Sequence, residues 1–202
     1  MNETKEHILL VATRLFLQKS FKEVTMNEIV DKTGLSKGAF YYYFKSKEQL
    51  FFEVIEYFMK NIAHDYESYS KESLYKFYQD YARGISALSE KHLEKYKGDL
   101  NEGVFTMNYF SLIFDALKLF PEFRERMITG FDREIEIWAG VIKNAREKGE
   151  IKSSMTDDEI AKTFMFLSDG VAMHMIMRGY KIEEMIAPFL VLWDKLYEQL
   201  KA

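Results

Sequence analysis

Apolar residues recur along this chain at intervals of three and four, and no stretch alternates. That spacing lines one face of an α-helix and is the wrong period for a strand. Ile8, Val11, Ala12, Leu15 and Phe16 give a first helix over 5–19. Thr25 offers a hydroxyl cap for a second, with Glu28 as the other half of a capping box, and Thr33-Gly34 ends it. Ser36 caps a short third helix through Tyr42. Ser46 caps a fourth with Leu50, Val54, Tyr57, Phe58 and Ile62 on its apolar side. A fifth is predicted over 72–93, then a loop at 97–103 and a very aromatic helix over 105–119. Pro121 suits the start of the next, which carries Met127, Phe131, Ile135, Trp138, Ile142 and Ala145 on one face and stops at Gly149. Thr156 caps a helix reaching Arg178. The last covers 182–201, where Pro188 predicts either a start near Ala187 or a kink. The expectation is an all-α fold of about nine helices, without repeats or low-complexity segments.

Composition narrows the chemistry. At 202 residues the chain is one large domain or two small ones, long enough to bury a core unaided. Without Cys there is no disulfide framework, thiolate zinc site or cysteine nucleophile. No apolar run approaches the ~18–20 residues of a membrane helix, and the mixed-charge N-terminus with Arg14 in its first apolar stretch makes a poor signal peptide. The expected location is therefore the cytoplasm, with no membrane partner. His7, His64, His92 and His174 have no i, i+4 partner, and no HExxH motif, nucleophile elbow or Walker loop is present. Asp157-Asp158-Glu159 sits in a helix first turn, where acids offset the dipole. Met173, Met175 and Met177 cannot share one helical face, so they read as core and interface rather than a soft-metal site. Tyr75, Tyr78 and Tyr81 read as a packing stripe. No catalytic residue, metal site or cofactor is expected.

Residues 25–50 carry the most information. Two short helices meet at Gly34, which can take positive φ and let them cross steeply; the direct reading is a helix–turn–helix unit. In such a unit the second helix enters the DNA major groove, its N-terminal residues nearest the bases. The net charge of −4 does not preclude this: residues 1–50 hold eight Lys and Arg against six Asp and Glu, and Lys32, Lys37, Lys45 and Lys47 stand in a stretch without acids. Tyr41, Tyr42 and Tyr43 span too wide an arc for all to be buried, so at least one should face the DNA backbone, while Phe40 and Phe44 read as core. Thr25 and Ser36, as caps, leave helix N-termini facing phosphates. Lys47 opposes the dipole of the fourth helix by a few tenths of a kcal/mol, roughly, and contact with a phosphate would explain it.

With those residues in view, positions 5–50 resemble the DNA-binding domain of the TetR/AcrR family of bacterial repressors. The resemblance lies in Ile8-x3-Ala12-x2-Leu15-Phe16, in Thr25-x3-Ile29, and above all in the run from Gly34 to Leu50. It implies a three-helix DNA-binding domain over 1–46 and a helical ligand and dimerisation domain over 47–202. It also implies that Lys37, Gly38 and Ala39 meet base edges, Gly38 by allowing close approach, and that Thr25, Ser36, Tyr41, Tyr42 and Lys47 hold phosphates. Lys37, the only long donor there, is expected on a guanine O6/N7 pair. The sequence departs from the family where Ser20 stands for a usual Gly, which would cost about 1 kcal/mol if φ is positive there. Val30 and Thr33 stand for a usual Ala.

The resemblance implies a homodimer through the last two helices. Ile160, Phe164, Leu167, Val171 and Met175 form a stripe on one of them, and Phe189, Leu190, Trp193, Leu196, Tyr197 and Leu200 give the other a wide apolar face. Two reading heads on a double-stranded palindromic operator supply affinity and specificity together. The aromatic residues around 105–123 suggest a pocket for a small hydrophobic effector, uncharged or cationic, with Phe105, Tyr109, Phe110, Phe114, Trp138, Phe164, Met165 and Ser168 as its expected lining. The functional expectation is a ligand-responsive repressor. The alternatives are a DNA-binding regulator controlled by a protein partner, or a metal-dependent sensor.

Overall fold

The structure, a computed structural model, describes the backbone of residues 3–62, 64–96 and 102–202, and side chains within these except at 61–62, 92–93, 102–106 and 182–183. Its helices are α1 (Glu3–Gln18), α2 (Met26–Thr33), α3 (Lys37–Tyr43), α4 (Lys47–Ile62), α5 (Leu74–Tyr96), α6 (Glu102–Leu119), α7 (Pro121–Glu147), α8 (Asp157–Met177) and α9 (Ile182–Leu200), with a 3₁₀ turn at Tyr66–Ser68. The all-α expectation holds; the β-type pairing among the described residues is an antiparallel bridge between Ile151 and Lys201. The predicted boundaries agree to within a few residues. Of the loop expected at 97–103, residues 97–101 lie outside the described residues, and Glu102 and Gly103 open α6. Pro188 does not begin α9; the helix runs through it from Ile182. No described helix is long and apolar enough to cross a membrane.

Two compact units form, Met1–Ala63 with Lys91–Arg124, and His64–Glu90 with Glu125–Ala202. The first thus takes α4 and α6 together with α1–α3, and compactness divides the chain elsewhere than the 46/47 boundary expected for function. In this unit Ile8, Ala12 and Phe16 of α1 are buried with Ile29, Phe40 and Phe44 and with Leu50, Phe51, Val54 and Phe58 of α4. Alpha-helix α6 is fastened to the far end of α1: Asn108 Nδ2 donates to the Leu17 carbonyl at 2.6 Å, and the Phe21 amide donates to Asp115 at 3.4 Å. Arg14 donates from Nη2 and Nε to the Lys95 carbonyl at 2.9 and 3.3 Å, satisfying an orphan carbonyl in the last turn of α5.

The second unit is built on Trp138, Phe164 and Trp193, all fully buried, with Phe77 and Tyr78. Trp193 Nε1 donates to the Phe164 carbonyl at 2.7 Å, which ties α9 to α8. Thr156 and Glu159 make the complete capping box of α8. Gly149 at φ 73° turns the chain out of α7, and the Glu150 carboxylate then accepts from the Leu74 and Tyr75 amides at 3.0 and 3.2 Å, capping α5 from 75 residues away.

Candidate nucleic-acid interface and effector region

Short-range hydrogen bonds set the α2–α3 unit. Thr25 Oγ1 accepts the Glu28 amide at 3.2 Å, and Ser36 Oγ accepts the Ala39 amide at 3.3 Å. The capping box expected at Thr25 is only half made. The Glu28 carboxylate pairs chiefly with Lys19 at 2.6 Å, with a weaker pull from the Thr25 amide. Gly34 ends α2 at φ 69°, with its N–H on the Asp31 carbonyl. A side chain is strained in that conformation, which is why glycine stands there. Phe40 and Phe44 are fully buried and anchor α3 from below. The strain expected at Ser20 is absent: among the described residues only glycines have positive φ, and Ser20 donates from both its amide and its hydroxyl to Glu23.

The opposite face of α3 is open. Ser36, Lys37, Gly38 and Ala39 are exposed side by side, and Tyr42 is 76% exposed. Thr25 is exposed as well, while Tyr41 and Tyr43 are half-buried. An added Cβ at Gly38 would meet nothing within 4 Å, and its φ is ordinary. Nothing inside the chain therefore needs glycine at this helical position, where glycine costs about 0.5–1 kcal/mol against alanine. Lys37 has no ion-pair partner among the described residues, whereas Lys45 donates to the Tyr41 carbonyl.

Lys47 has found partners within its own chain. Its Nζ donates to the Phe21 carbonyl at 2.8 Å and the Val24 carbonyl at 2.9 Å, and it lies 4.4 Å from the Phe21 ring centroid. These contacts answer the dipole conflict that suggested a phosphate. The ammonium ties the start of α4 to the turn between α1 and α2.

The eight residues expected to line an effector pocket fall in both units. Tyr109, Phe110 and Phe114 lie on α6 in the first, and the Phe105 side chain lies outside the described residues. The Tyr109 ring packs 5.4 Å from Phe58, and burial pushes its phenol up to about 12; Phe114 is half-exposed. In the second unit Trp138 stacks on Phe164 at 5.4 Å and sits edge-on to Trp193 at 5.2 Å. Both are packed core. Met165 is buried, and Ser168 Oγ donates to the Met165 carbonyl at 2.7 Å, within its own helix.

A second constellation in that unit was missed. His64, Tyr66, Tyr69 and Tyr81 bring four rings together, with His64 stacked on Tyr81 at 4.4 Å and 7°. The Tyr66 and Tyr81 hydroxyls donate to the same Glu134 oxygen, Tyr81 at 2.8 Å. Tyr69 hydrogen-bonds His64 Nδ1 at 2.8 Å, and a Cβ at Gly84 would collide with its hydroxyl. Burial drops the His64 pKa to about 4. The signal available beforehand was Glu134, one turn before Trp138 and beside the apolar face of α7.

Against known proteins, the family model described as "Bacterial regulatory proteins, tetR family" matches residues 8–54. YerO, an uncharacterized HTH-type transcriptional regulator of Bacillus subtilis, is 47% identical over 72 residues, 32% of this chain and 25% of the relative. The HTH-type transcriptional regulator AcrR of Shigella flexneri is 43% identical over 61 residues, 30% of this chain and 28% of the relative. The matches thus span about a quarter of the length of these relatives. Among solved structures, NalD, the secondary repressor of the MexAB-OprM multidrug efflux pump in Pseudomonas aeruginosa, superposes with a TM-score of 0.67 at 18% identity, covering 98% of this chain and 97% of NalD. The fold likeness therefore reaches well beyond the helix–turn–helix, around which close sequence similarity is concentrated.

Proposed function

We propose that the chain, whose residues 8–54 match the model of the tetR family of bacterial regulatory proteins, is a ligand-responsive repressor of that family that binds a palindromic operator as a homodimer. The observation that carries the reading is Gly38. It is exposed, flanked by Lys37 and Ala39, and spared a side chain that its own fold has room for. A helix glycine without an internal reason suits close approach by an outside surface, and the N-terminus of the second helix is the part that meets bases in a helix–turn–helix. Lys37, Gly38 and Ala39 read base edges; Thr25, Ser36, Tyr41 and Tyr42 lie along the backbone and set register.

The dimer reading has a different support from the expected one. Ile160 and Phe164 of the expected α8 stripe are buried, and Leu167 and Val171 pack against the chain's own core. The face left uncovered is Phe166, Gly170, Met173 and Met177, at helical steps of four, three and four. On α9, Val191 and Leu192 are exposed as well. An apolar stripe of this kind with a glycine open at its centre suits a second copy. Effector binding favours a conformation with the heads mis-spaced for the operator, by as much as its affinities for the two conformations differ.

A mobility-shift titration of the purified chain against the DNA flanking its own gene, repeated at several salt concentrations, tests the reading. Binding that weakens steeply with salt and places two half-sites about one helical turn or more apart is expected. Salt-insensitive retention, or none above random DNA, would sink it.

A further inference from the structure

The tyrosine–histidine cluster of the second unit holds negative charge that no cation among the described residues answers. Glu134 accepts from the Tyr66 and Tyr81 hydroxyls, and no Lys or Arg pairs with it or with Asp169 among the described residues. Asp169 is an exposed residue of α8, and partial desolvation with the Glu134 charge holds its carboxyl above the usual range. The phenols of Tyr66 and Tyr81 are held protonated, by burial first and by Glu134 beside them. His64 supplies no compensation, because burial keeps its imidazole neutral at neutral pH. Beneath the cluster, the fully buried Trp138 packs 5.3 Å from Tyr81 and leaves Nε1 without a partner.

Electron-rich ring faces beside unneutralised carboxylates attract a cation within ~6 Å of a ring centroid, most strongly when it is desolvated. A metal ion fits poorly: among the described residues no three His, Asp or Glu side chains gather to hold one. An organic ammonium matches better, its charge against Glu134 and Asp169 and its alkyl groups against the rings. The face of Tyr81 is now covered by His64, a neutral ring at 4.4 Å. A cation gains more from that face, and from the carboxylates behind it, than a neutral imidazole does.

We propose that the cluster of His64, Tyr66, Tyr69, Tyr81, Glu134 and Asp169 is the effector site, that it takes an organic cation with apolar substituents, and that the ligand displaces His64 from Tyr81. The inference rests on reading the chain as an effector-responsive regulator. It makes Trp138 the packed floor of the site rather than an open wall, and commits the ligand to a positive charge.

The test uses the full chain without DNA: equilibrium dialysis against benzyltrimethylammonium and against its uncharged carbon isostere, neopentylbenzene. The cation is expected to bind at one per chain and at least tenfold tighter than the isostere. Glu134→Gln keeps the acceptor for both tyrosines and should weaken the cation at least tenfold without moving the isostere. His64→Ala should bind the cation several-fold tighter. Should Glu134→Gln fail to fold by circular dichroism, Asp169→Asn gives the same readout. Equal binding of cation and isostere, an unmoved affinity in the carboxylate variants, or weaker binding by His64→Ala overturns the proposal. Because no DNA is present, a chain that shifts its operator but ignores the cation loses this inference alone. One that binds the cation but no DNA keeps the site and loses the repressor reading.

Discussion

Gly38, Lys47 and His64 each show a residue whose role depends on what surrounds it rather than on its type. Gly38→Ala fills open space on a helix, so the folded state should gain about 0.5–1 kcal/mol in denaturant titration while operator affinity falls. A variant that gains stability and keeps its affinity would show that DNA does not approach there. Lys47→Ala removes two hydrogen bonds from a half-buried ammonium and should lower stability by about 1–3 kcal/mol. Since this lysine serves the fold, the salt slope of DNA binding should stay unchanged; a phosphate contact would lower it by about 1. His64 is held neutral to about pH 4, below its ordinary value of 6.5. The unfolded chain therefore takes up a proton that the folded chain refuses. The stability in question is complete above about pH 6.5 and is lost progressively as pH falls toward 4, at most about 3 kcal/mol. His64→Phe, which keeps a ring on Tyr81, should flatten that part of the pH–stability curve; an unchanged slope would assign it to other groups.

At the scale of elements, local chemistry was readable and distant chemistry was not. Thr25, Ser36 and Thr156 cap where their positions before apolar runs said they would, because a cap and its amide are three residues apart. Glu28 departs from the full pattern because Lys19, nine residues back, takes the larger share of its carboxylate. The cap of α5 by Glu150 and the hold of Lys47 on Phe21 and Val24 join residues that periodicity cannot relate. The same limit applied to the sites. The exposed start of α3 was legible from the run between Gly34 and Leu50, but the ring cluster unites His64, Tyr81 and Glu134 from three elements. On α8 the periodicity was right and its assignment was not: a helix with two apolar stripes does not say which faces its own core. Phe166→Glu with Met173→Glu should leave the fold intact and convert a dimer to a monomer in analytical ultracentrifugation. Retention of the dimer would place the interface elsewhere.

For the whole molecule, the net charge of −4 averages a basic first fifty residues with an acidic remainder. On the proposed reading, affinity for DNA depends on a few residues at one small surface and on having two copies of it, since one short reading head makes few contacts. Selection of bound duplexes from a random library, run in parallel with the wild-type chain and Lys37→Ala, tests the account most directly. The wild-type chain should enrich one palindrome, and Lys37→Ala should enrich the same palindrome with its preference for guanine relaxed at one position in each half-site. Recovery of no palindrome, or of one identical in both selections, would contradict the reading of DNA by the start of α3.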